Sequence, residues 1–74
     1  DNEQIQETQL QLELKGILVN ADDGKRLALI AVQGQSEDVY QEGDNIQGAE
    51  IIRIEPRRVI LRHNGRTEAL NLEI

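Results

Sequence analysis

The chain has 74 residues, which is enough for one small domain with a thin core. Its net charge of −6 argues against a nucleic-acid backbone as the main partner, because that kind of binding depends on Lys and Arg neutralising phosphates. The absence of cysteine excludes disulfides and thiolate metal sites. Phe, Trp and Met are also absent, so the core must consist of aliphatic side chains, which suit a pleated sheet.

The first nine residues are polar and contain a single aliphatic side chain, Ile5. A segment of this composition buries too little apolar surface to offset the entropy of ordering it. The sequence therefore predicts a flexible polar linker or arm over residues 1–9 and a β domain over residues 10–74.

Six short strands are predicted in the β domain, and turn residues separate them. They cover residues 10–20, 26–33, 39–42, 49–55, 58–63 and 66–74. No stretch shows helical periodicity. The fold class is therefore all-β: a small antiparallel sandwich or semi-open barrel.

The first predicted hairpin is apolar on both faces. Strict alternation with a four-residue loop at residues 22–25 would pair Val19 with Ala28 and Ile17 with Ile30. Leu12, Leu14, Leu18 and Leu29 would then form the core face. The opposite face needs a second cover, either from elsewhere in the domain or from a partner. This opposite face is the predicted partner-binding surface, and it consists of Ile17, Val19, Ala28, Ile30 and Val32.

Two glycine-containing turns carry specific expectations. Asn64-Gly65 is the preferred pair for a type I′ hairpin, and it predicts pairing of His63 with Arg66. Gly43-Asp44 resembles a turn more than a phosphate-binding loop, because a strand pattern follows where such a loop requires a helix. We therefore expect a positive φ at Gly43 and a buried Ile46.

No arrangement of residues predicts catalysis, a cofactor or a metal ion. His63 is expected to be solvated at a hairpin tip, without a nucleophile beside it. The paired acids, Asp22-Asp23 and Glu37-Asp38, lack the spacing of a calcium loop. Five arginines lie beyond residue 50, and they either pair with the domain's own acids or face an acidic partner.

These motifs together resemble a known family. "LKGIL", "LALIA", "VYQEGDNIQGAEI" and "RVILRHNGRTEAL" occur in order across roughly residues 12–72. This pattern closely resembles the periplasmic homology region of the inner-membrane C component of the type II secretion system (GspC family). The lipoprotein of type IV pilus systems that has the same small β-fold is a weaker match.

The resemblance implies two three-stranded antiparallel sheets and a non-enzymatic role in the periplasm. The implied partner is the first periplasmic domain of the outer-membrane secretin, so the module would link the inner-membrane platform to the outer-membrane channel. The implied location is a periplasmic domain of an inner-membrane-anchored protein, with the anchor outside this segment. Other inner-membrane components of the system and a weak homodimer are further expected contacts, and self-association is the alternative function.

Overall fold

A computed structural model describes residues 5–72, which form eight strands and no helix. The strands are β1 (Gln6–Glu7), β2 (Leu12–Val19), β3 (Arg26–Val32), β4 (Glu37–Tyr40), β5 (Asn45–Ile46), β6 (Ala49–Ile54), β7 (Arg58–His63) and β8 (Arg66–Asn71). Residues 1–4 of the predicted arm and residues 73–74 of the last predicted strand lie outside the described residues.

The strands form two sheets. One sheet has the order β1-β8-β7-β6-β5 and the other has the order β2-β3-β4. All pairs within the sheets are antiparallel except β1 with β8. The predicted all-β sandwich is confirmed, and its six longer strands divide three and three. The two-residue strands β1 and β5 extend one sheet to five strands.

The core lies between the two sheets. Because Phe, Trp and Met are absent, it is made of aliphatic side chains that alternate inward along the strands. Its largest fully buried members are Leu14, Ile30, Ile51, Ile54, Val59 and Leu61. Tyr40, the one aromatic residue, is partly buried against this cluster.

The β7–β8 hairpin has the predicted register. Asn64 and Gly65 have φ values of 54° and 75°, as a type I′ turn requires. His63 pairs with Arg66, and the ladder continues in step to Arg58 and Asn71. The turn therefore fixes which face of this hairpin contributes to the core.

The segment after Tyr40 forms a turn and then a second tight hairpin. Gly43 has a φ of 96°, and Ile46 is buried, as predicted. Gln47 and Gly48 form a two-residue connection between β5 and β6, and both have positive φ. The sequence did not predict this hairpin, because Gln at the first position is not a usual type I′ residue.

The register predicted for the first hairpin is wrong. Val19 pairs with Arg26 and Ile17 with Ala28, and the register shifts between Leu14 and Gly16. This shift is a β-bulge with Lys15 as the extra residue, so alternation restarts after it. Leu14 and Ile17 consequently share the core side of β2, a placement that strict alternation does not allow.

The described part of the predicted arm runs beside β8. Gln6 pairs with Glu68 and Glu7 with Ala69 in parallel, and the Thr8 amide donates to the Ala69 carbonyl at 2.7 Å. These contacts continue the five-stranded sheet past β8. The boundary between an arm of residues 1–9 and a β domain of residues 10–74 stays a prediction.

Gly43→Val tests the turn after β4. An added Cβ meets no atom within 4 Å, so the cost comes from the left-handed backbone alone. We expect a loss of about 1–3 kcal/mol in the free energy of unfolding, measured by urea denaturation. Gly43→Asn should lose less, because Asn tolerates this conformation better.

Gly16→Val is the matched control for that change. An added Cβ at Gly16 also meets no atom within 4 Å, but the φ of Gly16 lies outside the left-handed region. This variant should retain wild-type stability. Equal losses at Gly16 and Gly43 would contradict a cost that arises from positive φ.

Neighbouring residues of β3 test the assignment of the core face. Ile30 is 0% exposed, whereas Leu29 is only partly buried on the other side of the strand. Ile30→Ala should therefore lower the free energy of unfolding by about 2–5 kcal/mol, and Leu29→Ala by clearly less. The register predicted from the sequence requires the reverse order, so thermal melts of the two variants distinguish the two faces.

Candidate partner-binding surface

The exposed large aliphatic side chains of residues 5–72 all belong to the three-stranded sheet. Leu18 and Val19 at the end of β2 are 47% and 65% exposed, and Val39 in β4 is 48% exposed. Single exposed aliphatics are common on protein surfaces, but a contiguous group suggests a binding surface.

Two of these side chains belong to one apolar patch. Leu18 lies directly across from Leu27, and Leu29 lies directly across from Val39, so the four side chains project from the same side of the sheet. Ala28 and Ile30 alternate with Leu27 and Leu29 along β3, and Ala28 and Ile30 pack in the core. The side that carries Leu27 and Leu29 therefore faces away from the core. We call Leu18, Leu27, Leu29 and Val39 the outer face.

Polar side chains border the outer face at one end. Glu13 and Glu37 flank Ala31 in the cross-strand register, and Lys15 lies 3.5 Å from Glu13. An apolar centre with a polar rim is the usual anatomy of a protein–protein interface.

The structure separates the five residues that the sequence predicted as a partner-binding surface. Ala28 and Ile30 are 0% exposed, and they belong to the core rather than to a surface. Ile17 and Val32 are partly buried against the same core. Val19 alone is well exposed, and its contact with a partner stays a prediction. The bulge at Lys15 explains why four of the five residues are buried or partly buried, because it turns this face of the hairpin toward the core.

The outer face was missed because strict alternation had assigned its leucines to the core. Gly16 was the sign of the bulge that the sequence offered. A glycine inside a strand pattern often marks a bulge.

Part of the arginine cluster pairs within the domain. Glu55 accepts hydrogen bonds from the Nε atoms of Arg58 and Arg53, the latter at 2.8 Å. The Arg58 hydrogen bond is the largest cause of the lowered pKa of Glu55, and the charges of both arginines add to it. Among residues 5–72, no acidic side chain lies within ion-pair distance of Arg57 or Arg62.

His63 lies beside the predicted hairpin turn, but its side chain is only partly solvated. Its side chain is 22% exposed, and its Nδ1 lies 3.6 Å from Oε1 of the buried Glu68. The Thr8 hydroxyl donates to the same Glu68 oxygen at 2.8 Å. The sequence could not predict this group, because Thr8 and Glu68 are 60 positions apart.

The described residues show neither a metal-binding cluster nor a membrane-spanning helix. No group of three or more His, Asp or Glu side chains within residues 5–72 could hold a metal ion. No helix in that range has the length and apolar character needed to cross a bilayer. The remaining candidate site is the apolar surface of a small two-sheet β domain.

Comparison with known proteins assigns this domain to a family. The family model "Type II secretion system protein C" matches residues 1–72. The type II secretion system protein C of Aeromonas hydrophila is 40% identical over 68 residues, and that of Pectobacterium carotovorum subsp. carotovorum is 41% identical over 67 residues. These matches cover 89% and 88% of this chain but 23% of each relative. The chain therefore belongs to the type II secretion system protein C family, and it spans about a quarter of those relatives.

A solved structure shares the fold. A chain from the crystal structure of the enterotoxigenic Escherichia coli GspC-GspD complex from the type II secretion system matches with a TM-score of 0.77 and 33% identity. The match covers 90% of this chain and 100% of that chain. The predicted family membership is confirmed.

Glu55→Gln tests whether the ion pairs of Glu55 with Arg53 and Arg58 stabilise the domain in a pH-dependent way. A pKa that is lower in the folded state than its ordinary value of 4.5 gives a stabilisation that is fully present above that value. It is lost as the pH falls through the lower, folded-state pKa. We expect wild type to be more stable than Glu55→Gln at neutral pH, by less than about 1 kcal/mol because the group is near the surface.

The difference in unfolding free energy between the two proteins should shrink in urea titrations carried to about pH 3. Glu50→Gln is the control, since Glu50 is exposed and forms no ion pair within residues 5–72. A difference for Glu55→Gln that grows toward acid pH would contradict the assignment.

Proposed function

We propose that this domain is a non-enzymatic interaction module that binds the first periplasmic domain of the outer-membrane secretin. In this role it links the inner-membrane platform of the type II secretion system to the outer-membrane channel. It would lie in the periplasm, as part of a protein anchored in the inner membrane outside this segment. Family membership supports the system, and the similar chain from a GspC-GspD complex supports the class of partner.

The outer face is the observation that carries this proposal. Leu18 and Val39 each expose about half of their side chains, and Leu27 and Leu29 between them are partly buried. Covering the exposed parts of Leu18 and Val39 contributes about 1.5–3 kcal/mol in total. A dissociation constant of 1 μM corresponds to about 8 kcal/mol, so these two side chains supply only part of the free energy of binding, and we expect an affinity no tighter than about the micromolar range.

Self-association is the second candidate, because the same apolar patch could be covered by another copy. The net charge of −6 disfavours it, since two copies repel one another while an oppositely charged partner does not. The mass of the domain in solution without the secretin fragment separates the two candidates. A monomer at tens of micromolar together with a secretin complex supports the proposal, whereas a stable dimer that binds no secretin fragment overturns it.

A matched pair of valine substitutions tests the location of the contact. Val39 and Val19 are both exposed, and they lie on opposite sides of the three-stranded sheet. Val39→Asp should weaken binding of the secretin fragment at least about tenfold, because it places a charge in the apolar contact. Val19→Asp should weaken it by a smaller factor. Calorimetric titration measures both affinities, and thermal melts establish that both variants remain folded.

The reverse outcome is equally informative. If Val19→Asp abolishes binding and Val39→Asp leaves it unchanged, the contact lies on the side of the sheet predicted from the sequence. If neither substitution matters, the partner does not contact the three-stranded sheet.

A further inference from the structure

The backbone of β2 has an open edge near its end. The Asn20 amide donates to the Lys25 carbonyl at 2.8 Å, so the backbone groups of Asn20 point toward the side of β3. Backbone groups alternate in direction along a strand, so the amide and carbonyl groups of Leu18 point toward β3 as well. The amide and carbonyl groups of Ile17 and Val19 therefore point away from β3. Within residues 5–72, the neighbour on that edge is Leu72, which forms a parallel bridge with Leu14. Beyond the bulge, the described structure places no strand beside Ile17 or Val19.

The opposite edge of the same sheet is closed. The Val39 amide donates to Oδ1 of its neighbour Asp38 at 2.9 Å, and the Gln41 amide donates to Oδ2 of Asp44 at 3.0 Å. These amides face away from β3, and the two carboxylates already satisfy them. An incoming strand would also place its carbonyl oxygens beside the negative charges of Asp38 and Asp44. Edge strands protected in this way do not add further strands readily.

From this contrast we propose that the partner adds a strand to β2 along Ile17–Val19, an inference that rests on the proposed function. Unpaired amide and carbonyl groups in an extended register are complementary to the backbone of another extended segment. The occupant is therefore an extended segment of the secretin fragment. Every second side chain of that segment lies on the same side of the sheet as Leu18, next to the outer face, so we expect aliphatic residues at those positions.

This arrangement explains how an exposed, partly apolar patch can bind one partner in one register. Backbone hydrogen bonds at Ile17 and Val19 fix the alignment, and the outer face adds apolar contact on one side of the added strand. The carboxylates of Asp38 and Asp44 prevent the same segment from binding at the other edge of the sheet.

Amide hydrogen exchange, followed by NMR, tests the added strand directly. In the free domain the amides of Ile17 and Val19 should exchange much faster than the Leu18 amide, which faces β3. With saturating secretin fragment, exchange at Ile17 and Val19 should slow at least about tenfold. Unchanged exchange at both positions in the bound state overturns the proposal. Protection of both amides already in the free domain also overturns it, because the edge is then occupied by the chain itself.

Val19→Pro provides a second measurement, because it removes an outward-facing amide that the fold does not use. Binding of the secretin fragment should weaken at least about tenfold, since one backbone bond is lost and a ring enters the added ladder. Gln41→Pro is the matched control, since it removes an outward amide at the closed edge. It should bind within about twofold of wild type, and thermal melts check that both variants fold.

The outcomes separate this inference from the proposed function. If wild type binds the secretin fragment and Val19→Pro binds it equally well, the function stands and the added strand is overturned. If wild type does not bind the fragment at all, the proposed function itself fails. If Val19→Pro does not fold, the exchange measurement on wild type decides.

Discussion

The extra residue at Lys15 determines which side chains of the first hairpin reach the core. Side chains alternate along a strand, so Leu14 and Ile17 can face the same way only where one residue between them leaves the alternation. The bulge provides this, and the core side of β2 and β3 then fits against the other sheet. The shared core side of β2 depends on this shift, because without it the side chains of Leu14 and Ile17 would lie on opposite sides of the sheet.

The three-stranded sheet is asymmetric in two ways. One side carries core residues such as Ile30, and the other presents a patch that runs from Leu18 to Val39. One edge carries backbone groups that the described residues leave unpaired, and the other is capped by Asp38 and Asp44. The five-stranded sheet offers less for binding, because its edge strands β1 and β5 have two residues each. The exposed large aliphatic side chains of residues 5–72 therefore all lie on the three-stranded sheet.

Sequence patterns predicted the strand register correctly where the turn residues permit only one turn type. Asn64-Gly65 fixes a two-residue turn, and the whole β7–β8 register follows from it. The first hairpin has a longer connection, held by side chains such as Asn20 and Asp23, and such a loop permits several registers. Its bulge is decided by packing against the other sheet, with Gly16 as the sole local sign. The sequence consequently assigned Ala28 and Ile30 to a surface, whereas the structure buries both in the core.

Methyl NMR of the domain titrated with the secretin fragment tests the central claim, that the bulge leaves the outer face for the partner. The methyl signals of Leu18, Leu27, Leu29 and Val39 should shift or broaden together, and those of Ala28 and Ile30 should change little because they lie in the core. A binding-competent fragment that perturbs Ala28 and Ile30, or the methyl groups of the five-stranded sheet, while leaving the outer face unchanged would contradict the account.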